Sequence, residues 1–247
     1  MATTAKSIKV LGTRKSHPPA PGPNTSKVIV ILEELAIPYH IHSFSFADVK
    51  KKPFIDINPN GRAPAIQDPN TDITLWETGA ITQYLIEQYD TKKKLTYTDL
   101  IRRSHLNQYL MYQVSGQVPY FGQLGWFSVF HYENLPSAIE RYQNETRRIL
   151  SVLEGLLEGK DWLVGDKITF ADLAFLPYND RVWFLGVPAE ERWNGFPNVK
   201  GWHERMTPRK SWVKCMGIRE RLPKDVGNKK EYEEQIKKSD ASAATQE

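Results

Sequence analysis

The 247-residue chain carries 33 Lys and Arg against 29 Asp and Glu, a formal net charge of +4. Hydrophobic residues at 40% and charged residues at 25% suit a globular protein with a substantial core and exclude wholesale disorder. Its basic clusters (Lys50 to Lys52, Lys92 to Lys94, Arg102-Arg103, Arg147-Arg148) are scattered and no nucleic-acid module accompanies them, so no nucleic-acid partner is expected.

Residues 8 to 11 read as a short strand, followed by a breaker-rich loop holding Pro18, Pro19, Pro21, Gly22 and Pro23. Val28, Ile31, Leu32 and Leu35 then form an apolar stripe at helical spacing, entered through Asn24-Thr25-Ser26 and stopped by Pro38. Tyr39 to Phe44 alternates as a second strand, and a short helical turn is expected near Phe54. Asp68-Pro69-Asn70-Thr71-Asp72 is turn chemistry, so Ala65-Ile66 and Ile73 to Trp76 should pair as a hairpin. Glu77-Thr78-Gly79 opens a helix with Ile81, Tyr84, Leu85 and Tyr89 on one face.

Strand signals then stop. Helical stripes are expected over 99–130, 136–158, 169–185 and 197–220. The reading is therefore α/β followed by all-α: a thioredoxin-like unit at 1–90, a polar linker at 91–99, an all-helical unit at 100–222, and a charged, disordered tail at 223–247. A single cysteine, Cys215, excludes an internal disulfide framework and any multi-cysteine metal site. No stretch of about 18 apolar residues is present and the first residues lack a signal-like apolar run, so no membrane span and a cytoplasmic address are expected.

Three constellations carry chemistry. In Arg62-Ala63-Pro64-Ala65 a proline enters a strand; a cis Ala63–Pro64 bond would leave the Ala63 backbone free for a peptide-like ligand, whereas a trans proline would mark only a turn. In Trp76-Glu77-Thr78-Gly79, a helix N-terminus and a hydroxyl suit a ligand carboxylate while Glu77 suits an ammonium, the two charges of a free α-amino acid end. An ordinary capped helix start would look the same. In Pro23-Asn24-Thr25-Ser26, the Asn24 amide at a helix start could donate to a thiolate, or could simply cap the helix.

These motifs occur in one order, and together they resemble the glutathione transferase family. Asn58-Pro59-Asn60-Gly61-Arg62-Ala63-Pro64-Ala65-Ile66 followed by Leu75-Trp76-Glu77-Thr78-Gly79-Ala80-Ile81 resembles the family's cis-proline strand and γ-glutamyl site, with Thr78 in place of the usual serine. Trp162 to Ala174 is similar to its core helix, with Thr169 and Asp172 as an N-capping box. Pro23-Asn24 with Lys27-Val28, and Gln113 to Gln123, most resemble the fungal nitrogen-regulator-like transferases and their bacterial nu-class relatives.

The resemblance implies a glutathione S-transferase with glutathione as co-substrate, no metal, a small-molecule electrophile as partner, and a homodimer. It makes Asn24 the thiol activator, with Thr25 and Ser26 as fallbacks, because Gly22 stands where some members have serine and no tyrosine or cysteine is suitably placed. It also implies glutathione contacts from Ala63, Pro64, Glu77 and Thr78. Val49 replaces a common histidine, so one of Lys50, Lys51 and Lys52, with Lys51 the candidate, could pair with the glycyl carboxylate; a solvated charge run would read the same. The acceptor pocket should come from the helical unit, with Tyr120, Phe121 and Trp126 as candidates beside Pro119 and flexible glycines; such aromatics can equally be core. Detoxification or secondary metabolism is the expected setting. The rival readings are a glutathione-dependent isomerase, a disulfide reductase, and a non-catalytic regulatory or binding module.

Overall fold

The computed structural model describes residues 5–13, 22–181 and 191–220. The proline-rich stretch 14–21, part of the 169–185 stripe and the charged tail expected at 223–247 lie outside the described residues.

The first unit has a mixed sheet of β1 (Ile8–Thr13), β2 (Tyr39–Phe44), β3 (Ala65–Asp68) and β4 (Ile73–Trp76), ordered β2-β1-β3-β4. β1 runs parallel to β2, with Val10 opposite Ile41, and antiparallel to β3, with Val10 opposite Ile66. A parallel pair needs a crossover, which α1 (Pro23–Glu34) supplies. β3 and β4 form the expected hairpin, with Ala65 opposite Trp76. A short α2 (Phe54–Ile57) precedes β3, and α3 (Thr78–Tyr89) follows β4.

Helix α1 is buried all round. Every residue from Thr25 to Leu32 is inside, because α1 packs on α3 in its own unit and on the helices Phe170–Asn179 and Lys210–Glu220 of the next. Its apolar run Val28-Ile29-Val30-Ile31-Leu32 fits that sandwich, and Lys27 is the cation carried inside with it.

The second unit begins with α4 (Leu100–Tyr112), capped by the Asp99 carboxylate on the Arg102 N–H at 2.9 Å. The single helix expected over 99–130 is interrupted: π turns at Gln113–Gln117 and Trp126–Phe130 bracket α5 (Val118–Gly125). Pro119 cannot donate to the turn before it and its ring crowds that turn, which widens it. Next come α6 (Pro136–Leu156), α7 (Phe170–Asn179), α8 (Pro197–Met206) and α9 (Lys210–Glu220). Pro208 splits the expected 197–220 helix into α8 and α9.

The Thr169–Asp172 capping box starts α7 as expected. Asp172 is fully buried and accepts from Leu163 N, Thr169 N, Thr169 Oγ1 and Trp202 Nε1.

The polar linker is also tied down. Asp90 accepts from the Lys94 and Leu95 backbones, and Lys94 Nζ reaches the Glu34 carboxylate at 2.9 Å. Glu34, at the end of α1, also takes Arg209 Nε at 2.7 Å and the Ser211 hydroxyl at 2.6 Å, joining the two units.

Candidate functional site

A cleft of about 680 Å³ opens where the N-terminal ends of α1 and α3 face the helical unit. Asn24, Asn58, Asn60, Arg62, Ala63, Pro64, Glu77 and Thr78 line it from the first unit. Val114, Val118, Pro119, Gly122, Gln123, Trp126 and Tyr178 close it from the second. One wall is thus rich in donors, acceptors and charge, and the other is largely apolar.

Local backbone devices build the polar wall. Gly61 adopts φ +60, and a Cβ there would stand 3.0 Å from the Val49 carbonyl, so this turn requires glycine. Asn58 is buried; its amide donates to the Arg62 carbonyl and accepts from Asn60 N at 3.0 Å, which fixes the loop entering β3. The Ala63–Pro64 bond is cis, and so is Lys52–Pro53. Glu77 precedes α3 with φ 69 and ψ 118, a backbone state L-residues rarely adopt and one that clusters at ligand sites. Its carboxylate accepts from Asn60 Nδ2 at 3.4 Å, while Thr78 opens the helix at its electropositive end.

Asn24 does not cap α1. Gly22 occupies that position with no side-chain bond, and Pro23 starts the helix. The Asn24 Oδ1 instead accepts from the Tyr178 hydroxyl at 3.1 Å, across the junction between the units. With its oxygen engaged, the amide has its NH₂ end to offer an anion. Burial pushes the Tyr178 phenol well above its ordinary value, so it stays a donor.

Beneath Thr78 lies Lys27, whose Nζ donates to Thr78 Oγ1 at 2.8 Å and to Gln113 Oε1 at 3.0 Å. It also sits 5.5 Å from the Tyr178 ring centre. Burial lowers Lys27 to about 7, against the pull of the Glu77 charge.

Of the residues singled out from sequence, Asn24, Ala63, Pro64, Glu77, Thr78 and Trp126 line this one cleft. Others lie elsewhere. Lys51 is exposed and outside the lining, while Arg62 supplies a cationic side chain within it. Phe121 is only 2% exposed, packed edge-on against Tyr178 in the core. Tyr120 also lies off the lining, under the Arg148 guanidinium at 5.8 Å. Thr25 is buried against Gly12, and Ser26 is buried with its carbonyl toward Cys215.

The sequence reading gives no site role to Lys27, Asn58, Asn60, Arg62, Gln123 or Tyr178, although all but Tyr178 stand within motifs that carry the family resemblance. Lys27 left one signal, a lone cation heading an apolar run. Tyr178 left none, because it sits inside an apolar helix whose partners are set by packing.

Among the described residues, no group of His, Cys, Asp or Glu is placed to hold a metal ion, and no helix is long and apolar enough to cross a membrane.

Comparison with known proteins places this geometry. Residues 21–88 match the glutathione S-transferase N-terminal domain, and residues 118–210 match the glutathione S-transferase C-terminal domain. The glutathione S-transferase-like protein gedE of Aspergillus terreus is 44% identical over 206 residues, covering 79% of this chain and 91% of that protein. The crystal structure of glutathione transferase URE2P6 from Phanerochaete chrysosporium in complex with oxidized glutathione matches with TM-score 0.81 and 38% identity, over 88% of this chain and 98% of that one. Ure2p in complex with glutathione matches with TM-score 0.76 and 32% identity, over 86% of this chain and 99% of that one. The chain belongs to the glutathione S-transferase family, alongside its fungal and Ure2-like members.

Proposed function

We propose that the cleft binds glutathione and that Asn24 stabilises its thiolate for attack on an apolar electrophile, so that the chain is a glutathione transferase. The observation that carries this reading is the meeting of Asn24, Ala63, Glu77 and Thr78 on one cleft large enough for a tripeptide and a second molecule. The γ-glutamyl carboxylate lies at the N-terminus of α3 with Thr78, and its ammonium lies at Glu77. The cysteinyl backbone runs along Ala63 and Pro64. Arg62, rather than the exposed Lys51, meets the glycyl carboxylate.

The thiol proton leaves to water, and the sulfur donates its electron pair to the electrophilic carbon. That carbon either expels its leaving group with the bonding pair (chloride from a chloroarene) or, in a conjugated alkene, passes the pair along the conjugation to be protonated from water. Binding that holds the two reactants in contact supplies the rest. The electrophile sits against Val114, Val118, Pro119 and Trp126, whose apolar faces favour an aromatic or conjugated acceptor. A cytoplasmic homodimer serving detoxification or secondary metabolism is the setting we assign.

A second reading, disulfide reduction, is favoured by the oxidized glutathione held by the related URE2P6. Here the thiolate attacks a disulfide sulfur, forming a mixed disulfide and expelling the other half as a thiolate that takes a proton from water. A second glutathione thiolate then resolves the mixed disulfide and leaves as glutathione disulfide.

One experiment separates these readings. The protein is incubated with glutathione and either 1-chloro-2,4-dinitrobenzene or 2-hydroxyethyl disulfide, and products are followed by mass spectrometry. Catalysed thioether formation, reduced about tenfold or more in Asn24→Ala at unchanged thermal stability, is expected. Disulfide turnover without thioether would establish the reductase. Glutathione binding without either product would establish a binding module.

A further inference from the structure

The buried Lys27 has no part in the reading above, yet it touches the residue placed at the ligand carboxylate. We propose that Lys27 is a positioning residue for glutathione: as an ammonium it takes the Thr78 oxygen as acceptor and thereby turns the Thr78 hydrogen toward the γ-glutamyl carboxylate. This rests on the glutathione reading of the cleft.

Hydrogen-bond bookkeeping carries the inference. An ammonium has only donors, so Thr78 Oγ1 at 2.8 Å must accept from it, and the Thr78 O–H is left for the cleft that Thr78 lines. A neutral amine has a lone pair. The Thr78 O–H can then donate back to Nζ and is lost to the ligand.

A chain of buried amides behind Lys27 favours the charged form. Gln113 Oε1 accepts from Lys27, Gln117 Oε1 accepts from Gln113 Nε2 at 3.1 Å, and Asn179 Oδ1 accepts from Gln117 Nε2 at 2.8 Å. Every amide in this buried chain points its oxygen toward Lys27, so their dipoles add. The chain runs from the π turn to the end of α7, which ties the ligand subsite to the helical unit.

Among the described residues, the charged or titratable groups that neighbouring elements turn toward Lys27 are Glu77, ahead of α3, and Tyr178 on α7. Burial opposes the ammonium and holds Lys27 at about 7. A carboxylate arriving at Thr78 adds a negative charge nearby, so binding should draw a proton onto Lys27 above neutral pH.

The test uses S-hexylglutathione, whose blocked sulfur releases no thiol proton, in calorimetry with two buffers of different ionisation enthalpy. The wild-type chain should take up most of one proton on binding at pH 8 and almost none at pH 6. Lys27→Met should weaken binding about tenfold and abolish that uptake. Lys27→Gln serves as a second variant should the first fail to fold. Adding Thr78→Val to Lys27→Met should cost little more, because the two side chains act as a unit. Wild-type affinity and proton uptake in the Lys27 variants overturn the positioning role alone. Absence of any binding by the wild-type chain overturns this inference together with the glutathione reading.

Discussion

Tyr178 Oη donates to Asn24 Oδ1 at 3.1 Å, so the first residue of the cleft in sequence is held by the helical unit 154 positions later. The bond sets which end of the Asn24 amide faces the cleft, and an amide turned the other way would repel a thiolate.

Tyr178→Phe should therefore act on the thiol without unfolding the chain. The pKa of bound glutathione, read from thiolate absorbance, should rise by up to about one unit, and kcat/KM should fall by about three- to tenfold. Unchanged thiolate titration would remove Tyr178 from this role.

Glu77→Gln keeps the shape of the side chain but removes the charge offered to the ligand ammonium. KM for glutathione should rise about tenfold with a smaller change in kcat, measured in steady-state kinetics at saturating acceptor. A fall in kcat alone would contradict this placement.

Glu34 should make the junction acid-sensitive. Burial pushes its carboxyl up, but hydrogen bonds from Arg209, Ser211 and Lys94, with the Arg209 charge, outweigh burial and hold it at about 2, below the ordinary 4.5. A depressed pKa stabilises the fold above about pH 4.5 and loses that contribution as pH falls toward 2. The contribution is about 3 kcal/mol at neutral pH. Glu34→Gln should lower the melting temperature at pH 7, and the gap from wild type should narrow in thermal scans taken down to pH 3. A gap constant with pH would refute the ionic account.

Asp172→Ala should loosen the helix that carries Tyr178. It strands four donors (Leu163 N, Thr169 N, Thr169 Oγ1 and Trp202 Nε1) in a buried site. Urea denaturation should show a loss of about 3 kcal/mol or more. Near-wild-type stability would mean that other partners replace the carboxylate.

What the sequence alone determined was local. The hairpin between Ala65 and Trp76, the helix opened by Glu77-Thr78, the Thr169–Asp172 box and the change from mixed to helical segments all follow from turn chemistry, capping and apolar period. Their signals span a few residues, so they survive without neighbours. Motif order likewise singles out Asn24, Ala63, Pro64, Glu77 and Thr78.

Only the tertiary structure decided which side chains share the cleft. Phe121 and Trp126 stand in one aromatic-rich stretch, yet packing sends the first under Tyr178 and leaves the second on the cleft wall. Lys51 and Arg62 are both cations near the same loop, and backbone direction at the Gly61 turn puts Arg62 in the lining. Lys27, Gln113, Gln117 and Asn179 form one chain although they are far apart in sequence. The physical reason is common to all of these. A buried polar group must find a partner wherever the fold brings one within about 3 Å, and sequence spacing does not encode that distance between separate elements.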